Sequence, residues 1–219
     1  MKNADQNPWN SIPLQDYEAH MSLDGVYQLQ TLNEMMRAQF ESCPAQSVMI
    51  LGVAGGNGLQ HLCGSDKTPI FGVDSNPEYL AACVQRYPAL AGCFVPLCID
   101  LAGDEAKNLP HADLLVANLL VEYIGVDCFA QTVRTVAPGR VSCVIQLNTD
   151  SGFVSQSPYL HVFDGLSRVH HQLSEEGMQT ALQQVGYRQV FRRAIPVPGG
   201  KTLLRLDYDA VGSFGLLDK

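Results

Sequence analysis

A glycine-dense turn, Gly52-Val-Ala-Gly-Gly-Asn-Gly58, interrupts an apolar run that begins at Val48, and Asp74 closes the next apolar run, Ile70-Phe-Gly-Val-Asp74. Glycines let a backbone approach a ligand that a Cβ would repel, and they supply positive φ for a turn. A carboxylate at the end of the following strand can accept both hydroxyls of a ribose. Together these features point to an adenosine-bearing ligand. A third run, Ala112-Asp-Leu-Leu-Val-Ala-Asn118, ends in a polar amide and leads into Glu122 and Tyr123. Ligands of open α/β sheets lie at the carboxyl ends of the strands, so Asn118 is expected at the crevice. Glu122 and Tyr123 are candidates for its substrate-facing wall, with Glu122 as a general base. Glu122 suits equally well the first turn of a helix, where a carboxylate meets the helix dipole.

Spacing selects among adenosine compounds. The dinucleotide fingerprint G-x-G-x-x-G fails, because Gly56-Asn57-Gly58 meets His61 at the third glycine position and Gly52-Val53-Ala54 meets Asn57. A phosphate loop fails too, since Leu59 and Gln60 follow Gly58 where a lysine and a hydroxyl are required. The frame Gly52-x-Ala54-x-Gly56-x-Gly58 resembles the motif of class I S-adenosylmethionine-dependent methyltransferases, an acid followed by G-x-G-x-G. Gly52 stands where that family has its acid, and Ala54 stands for the first glycine. In that family the acid lies near the methionine ammonium of the cofactor, so Gly52 leaves the amine to backbone carbonyls, water or another side chain. One methyl group at Ala54 is tolerable where the backbone needs no positive φ.

The elements that must position these residues follow in a suitable order. Strand-like runs occur at about 47–53, 69–74, 93–99, 112–119, 140–147, 187–195 and 201–209, with helical patterns between most of them. Such alternation predicts a doubly wound, mostly parallel α/β sheet of seven strands. Asn76-Pro77 opens a helix that ends near Pro88. Ser174, with Glu175 and Glu176 in the first turn, opens another that Gly186 stops. The last two strands, joined by Pro196-Val-Pro-Gly-Gly200, read as an antiparallel hairpin, which resembles the ending of the methyltransferase fold. The chain is read as one methyltransferase-like domain over 1–219, with an N-terminal arm and helix at 1–44 and the α/β core at 45–210. Val26, Leu29, Leu32, Met36 and Phe40 predict an amphipathic helix over about 23–41, preceded by Trp9, Tyr17, His20 and Met21, and this segment is expected to form a helical lid.

A hydrophobic content of 46% with 16% charged residues fits a well-buried domain. The net charge of −8, from 14 basic against 22 acidic residues, disfavours nucleic acid as a partner. Arg188, Arg192, Arg193, Lys201 and Arg205 form a cationic group that reads either as a solvated sheet edge or as a site for an anion. No apolar run of membrane-spanning length occurs and the N-terminus lacks a signal-peptide core, so no membrane partner and a cytoplasmic location are expected. Seven cysteines without a C-x-x-C pair read as buried structural thiols, and no metal is expected. Oligomeric state is left open by the sequence.

The resemblance implies further contacts with S-adenosylmethionine. Asp100, after the third strand, and the adjacent N–H of Leu101 suit the adenine amine and a ring nitrogen; Asp100 can also cap the turn that starts Asp-Leu-Ala-Gly. Gly52, Ala54, Gly56, Asp74, Ser75 and Asn118 complete the cofactor side. Tyr17 and His20 are placed at the sulfonium end or at the substrate, since an aromatic face attracts a cation; Trp9 and Tyr17 read equally well as pins of the N-terminal arm. Methyl transfer is an in-line displacement that needs alignment above all, with a small molecule as acceptor and Glu122, Tyr123 or His161 as the proton acceptor where one is required. His170 and His171 are further candidates. Two alternatives stand beside this reading: a non-catalytic protein that binds S-adenosylmethionine or S-adenosylhomocysteine, and a Rossmann-type NAD(P) oxidoreductase, which the failed dinucleotide spacing disfavours.

Overall fold

The computed structural model describes residues 7–148 and 152–212. Seven strands form one sheet: β1 (Val48–Leu51), β2 (Ile70–Asp74), β3 (Phe94–Cys98), β4 (Leu114–Asn118), β5 (Arg140–Asn148), β6 (Tyr187–Val197) and β7 (Lys201–Ala210). Their order is β3-β2-β1-β4-β5-β7-β6. β1 to β5 run parallel, and β7 is inserted antiparallel between β5 and β6. Each expected strand is present within a few residues of its predicted ends. Pro96 is tolerated in β3 because that strand is an edge and one of its flanks needs no donors.

The strand order reverses between β1 and β4, and a crevice opens outside such a switch point at the carboxyl ends of the strands. Gly52 leaves the end of β1 there, beside Asn118 at the end of β4.

Among the described residues, six α-helices flank the sheet: α1 (Leu14–Ser22), α2 (Gln28–Glu41), α3 (Pro77–Arg86), α4 (Val121–Ile124), α5 (Val126–Val136) and α6 (Glu175–Gln184). Alternate residues of β1 serve opposite faces, as strand periodicity requires. Met49 and Leu51 pack with Phe129 and Val133 of α5 and with Met178 and Leu182 of α6. Val48 and Ile50 pack with Met36 and Phe40 of α2 and with Leu80 and Cys83 of α3. Asn76 caps α3 by accepting from the Glu78 N–H at 3.0 Å, and Ser174 caps α6 by accepting from the Gly177 N–H at 3.1 Å, as their sequence positions predict.

Two sequence expectations change. The helix read over 23–41 begins only at Gln28, as α2, because the Leu23 carbonyl accepts from both Val26 and Tyr27 and Tyr27 takes a left-handed φ of 53°; α1 precedes that turn as a separate helix. The connection from β1 to β2 holds only a short 3-10 turn, Leu59–Leu62. The sheet face above that connection is covered instead by α2, whose Met36 and Phe40 pack with Leu59 and Leu62. No helix among the described residues is long and apolar enough to cross a membrane.

The cationic group of the last hairpin is dispersed, because strand alternation sends its members to different environments. Arg205 is buried and pairs with Asp207 at 2.6 Å, Lys201 is buried with its Nζ 3.2 Å from Asn148 Oδ1, and Arg192 pairs with Glu175 at 2.8 Å. The cysteines also divide. Cys83 and Cys143 are buried, whereas Cys63 and Cys98 are exposed, so the reading of uniformly buried thiols fails for the last two.

Candidate functional site

Two small cavities lie at the switch point. The first, of ≈ 40 Å³, is bounded by the glycine turn (Gly52, Ala54, Gly55, Asn57), by Leu29, Leu32 and Met36 of α2, by Asn118, and by Tyr17 and Glu18 of α1. The second, of ≈ 50 Å³, is bounded by Trp9, Tyr17, His20, Gln28, Glu122, Tyr123, Gln146, Ser155 and His170 among largely aromatic and apolar neighbours. Tyr17 forms part of both walls.

The glycine turn is shaped by its own protein neighbours. A Cβ on Gly55 would lie 2.3 Å from Glu18 Oε1 and 2.6 Å from Arg86 Nη1, and one on Gly56 would lie 2.7 Å from the Tyr87 ring. The absence of side chains therefore admits α1 and α3 to the turn, in addition to any ligand. Gly56 also has φ +86°, which only glycine takes without strain. Ala54 corrects the sequence expectation, because its φ is 48° and its methyl group sits in the left-handed region. Two contacts hold it there. Its N–H donates to Asp74 Oδ2 at 2.9 Å, and its carbonyl accepts from the Cys83 thiol at 3.1 Å. Leu119, in the wall of the second cavity, is also left-handed with φ 51°. Backbone strain of this kind persists only where surrounding contacts over-determine it, and it clusters at functional sites.

Asp74 takes one backbone N–H on each oxygen, Ala54 on Oδ2 and Asn76 on Oδ1 at 3.0 Å. A carboxylate has about four acceptor positions, so capacity remains for hydroxyl donors. Burial raises its pKa against these bonds. Ser75 and Asp100 lie under the N-terminal arm. Asn7 donates to Ser75 Oγ at 3.3 Å and to Asp100 Oδ2 at 3.4 Å, while Ser75 donates to Asn10 Oδ1 at 3.1 Å. Asp100 also accepts from the Ala102 N–H at 3.0 Å and closes the turn that its sequence allows. The Leu101 side chain is buried in the core beneath it. Asn118 exchanges two hydrogen bonds with the buried Gln39 of α2, both at 3.0 Å, so its amide braces β4 against α2 while lining the first cavity.

In the second cavity Glu122 is buried on α4, and its Oε1 accepts from the Gln146 N–H at 2.6 Å while Oε2 has no partner. Burial pushes its pKa up to about 7. Tyr123 is partly buried, with its ring edge-to-face against Trp9 at 4.9 Å. Burial and the Glu122 charge hold its phenol far above the usual range, so it stays protonated and serves as wall rather than base. Tyr17 is likewise raised, by burial and by Asp74. His20 faces only the second cavity, with Nδ1 2.7 Å from Ser157 Oγ, and burial lowers its pKa. His161 is exposed and lines neither cavity; His20 and His170 are the histidines the fold brings to the site, because the 3-10 segment Leu160–Arg168 turns Phe163 and Leu166 inward and His161 outward. No group of three or more metal-binding side chains occurs among the described residues.

No protein-family model matches the chain, and no curated protein matches its sequence. Solved structures do match. One is magnesium protoporphyrin IX methyltransferase from Synechocystis PCC 6803 with bound S-adenosylhomocysteine (TM-score 0.67, 12% identity), over 94% of this chain and 97% of that one. The fold is that of the class I methyltransferases. Geranyl diphosphate C-methyltransferase from Streptomyces coelicolor A3(2) matches it as well (TM-score 0.63, 10% identity), over 83% of this chain and 77% of that one. So does the [4+2]-cyclase SpnF (TM-score 0.62, 10% identity), over 83% and 81%.

Within this class I fold, sequence reasoning missed Glu18, Gln28, Gln146 and Ser155. Glu18 carried a signal in its spacing: with Tyr17 and Met21 it occupies one stripe of α1, which is legible only once α1 and α2 are separated. Gln28, Gln146 and Ser155 come from three distant segments and carried none.

Proposed function

We propose that this chain binds S-adenosylmethionine in the first cavity and directs methyl transfer to a small molecule held in the second. The observation that carries this reading is the adjacency of the two cavities through Tyr17 at the switch point of a class I fold. When bound, the cofactor supplies a methyl carbon on a positively charged sulfur. Asp74 accepts the ribose hydroxyls, and Ser75, Asp100 and the Leu101 N–H flank the adenosine. Tyr17 presents an aromatic face to the sulfonium charge. Glu18 supplies the carboxylate that Gly52 lacks: it is the only ionised side chain lining the first cavity among the described residues, and Arg86 orients it from α3, with Nη2 to Oε2 at 2.9 Å. Asn118 and Gln39 fix the floor. Glu122, with its uncommitted Oε2, takes the acceptor's proton. The bound cofactor seen in a structural neighbour supports the same reading, as does the absence of a helix directly after the glycine turn, since a phosphate-binding loop uses that helix's N-terminus.

Isothermal titration with S-adenosylhomocysteine and with NADH tests it. Saturable binding of the first alone is expected, and binding of NADH alone would overturn it. A second reading, cofactor binding without methyl transfer, draws on Gly52 in place of the acid and on a neighbour that is a cyclase. Transfer of labelled methyl from the cofactor to any small acceptor rules it out.

A further inference from the structure

The second cavity sorts its own polar groups. Gln146 is committed, since its Nε2 donates to Asn148 Oδ1 and to the Phe153 carbonyl, both at 2.7 Å, and its Oε1 accepts from Gln28 at 2.6 Å. His20 is held by Ser157. Three buried atoms of residues that line this cavity have no protein partner: Trp9 Nε1, Glu122 Oε2 and Ser155 Oγ. A buried polar atom without a partner costs free energy, and its persistence asks for a ligand group. These atoms are a donor, an acceptor and a hydroxyl able to be either. Around them stand Tyr17, Tyr123, Phe153, Phe163 and Leu166, which suit a flat apolar body.

Charge narrows the class. Among the described residues no lysine or arginine lines the cavity. Burial lowers the His170 pKa, with His171 and then Lys201 adding to the effect, and Lys201 itself is turned to Asn148 Oδ1 and the Gly152 carbonyl. A carboxylate or phosphate on the acceptor would thus be buried without a counter-charge. A permanently protonated amine would face the cofactor's positive sulfur across Tyr17 with its lone pair occupied. An aromatic hydroxyl has neither fault. It is neutral on binding, it can donate to Glu122 Oε2, and a second oxygen beside it can accept from Trp9 Nε1.

We propose that the acceptor is a small uncharged hydroxyaromatic, bound with its hydroxyl on Glu122 Oε2 and a neighbouring oxygen on Trp9 Nε1. This rests on the methyltransferase reading for its role, and on the cavity alone for its chemistry. The cavity of ≈ 50 Å³ holds no more than a few waters, so admission requires the roof to lift. That roof is the N-terminal arm packed on the 160–168 segment through Ile12, Phe163 and Leu166.

Trp9 is the only tryptophan in the chain, so its fluorescence reports this cavity directly. Phenol, catechol, benzoate, phenyl phosphate and benzylamine are titrated into the intact protein with and without S-adenosylhomocysteine, whose own binding is followed by calorimetry. Saturable change with phenol and catechol is expected, with the charged probes weaker by on the order of tenfold or more. Catechol should bind severalfold tighter than phenol, and Trp9→Phe, read by calorimetry, should erase that difference while keeping phenol affinity. Charged probes that bind as well as catechol, or no saturable change with either hydroxyaromatic, would overturn the proposal. Absence of S-adenosylhomocysteine binding beside normal catechol binding would overturn the cofactor reading and leave this one standing.

Discussion

The two cavities that meet at Tyr17 are built from different materials. The first is a backbone site: a turn whose shape comes from Gly52, Ala54 and Gly56 and whose anchor is one carboxylate, Asp74, gripping two N–H groups. The second is a side-chain site, assembled from the arm, α1, α4, β5 and the segment after it. A backbone site depends on local dihedral angles and therefore on short sequence patterns. A side-chain site depends on which distant segments the sheet brings together. The difference teaches where specificity resides: the form of the first cavity is set by one short turn, that of the second by whatever its loops enclose.

Four substitutions test this contrast. The largest effect is expected at Glu122, whose carboxyl is raised by burial from 4.5 to about 7. A carboxyl raised in the folded state contributes its full stability below its unfolded value and loses it as pH rises through about 7. Glu122→Gln should therefore unfold like the wild type near pH 4 and be more stable near pH 8, by about 3 kcal/mol. Denaturant titrations at the two pH values measure this, and equal stabilities at pH 8 would remove Glu122 from the buried wall. Asp74→Ala should weaken S-adenosylhomocysteine binding by about 1.5–3 kcal/mol, the range for hydrogen bonds to a charged group. Catechol affinity should stay unchanged in that variant, since Asp74 does not line the second cavity, and a loss of both would show that the cavities fold as one unit.

Glu18→Gln is expected to cost about 1 kcal/mol in S-adenosylhomocysteine affinity, in keeping with a partly exposed ion pair. Adenosine, which lacks the methionine end, should bind the variant as it binds the wild type; calorimetry with both ligands decides. The smallest effect is expected at Ala54→Gly. Relief of the left-handed alanine, about 1 kcal/mol, is largely offset by the greater freedom of glycine in the unfolded chain, about 0.4–1 kcal/mol. A shift in unfolding midpoint too small to resolve is the outcome anticipated, and a marked destabilisation would mean that the methyl group has a packing role.

The backbone cavity was largely legible in the sequence. Glycine spacing, the Asp74 that ends an apolar run and the Asn76-Pro77 cap each act over a few residues, and the hairpin after Pro196 follows from local turn chemistry. Ala54 was the exception, because its left-handed φ is imposed by Asp74 and Cys83 from other strands and helices. The side-chain cavity was legible in part, at Tyr17, His20, Glu122, Tyr123 and His170. Ser155 Oγ, Glu122 Oε2 and Trp9 Nε1 acquire meaning from being left over when their neighbours pair, and no local pattern records that. The turn at Leu23–Tyr27, which delays the start of α2 to Gln28, escaped for a related reason: apolar spacing continues across it, and the left-handed residue is a tyrosine, which gives no warning. His161 was misplaced because a histidine in a loop has no periodicity to tell inside from outside.

A structure of the protein with S-adenosylhomocysteine bound would test the central claim most directly. The account predicts the ribose hydroxyls on Asp74, the amino group beside Glu18 and the sulfur facing Tyr17 from the side of Gly52 and Ala54, with the Glu122 cavity beyond it. Binding elsewhere, or with the sulfur turned away from Tyr17, would contradict the assignment of one cavity to the donor and the other to the acceptor.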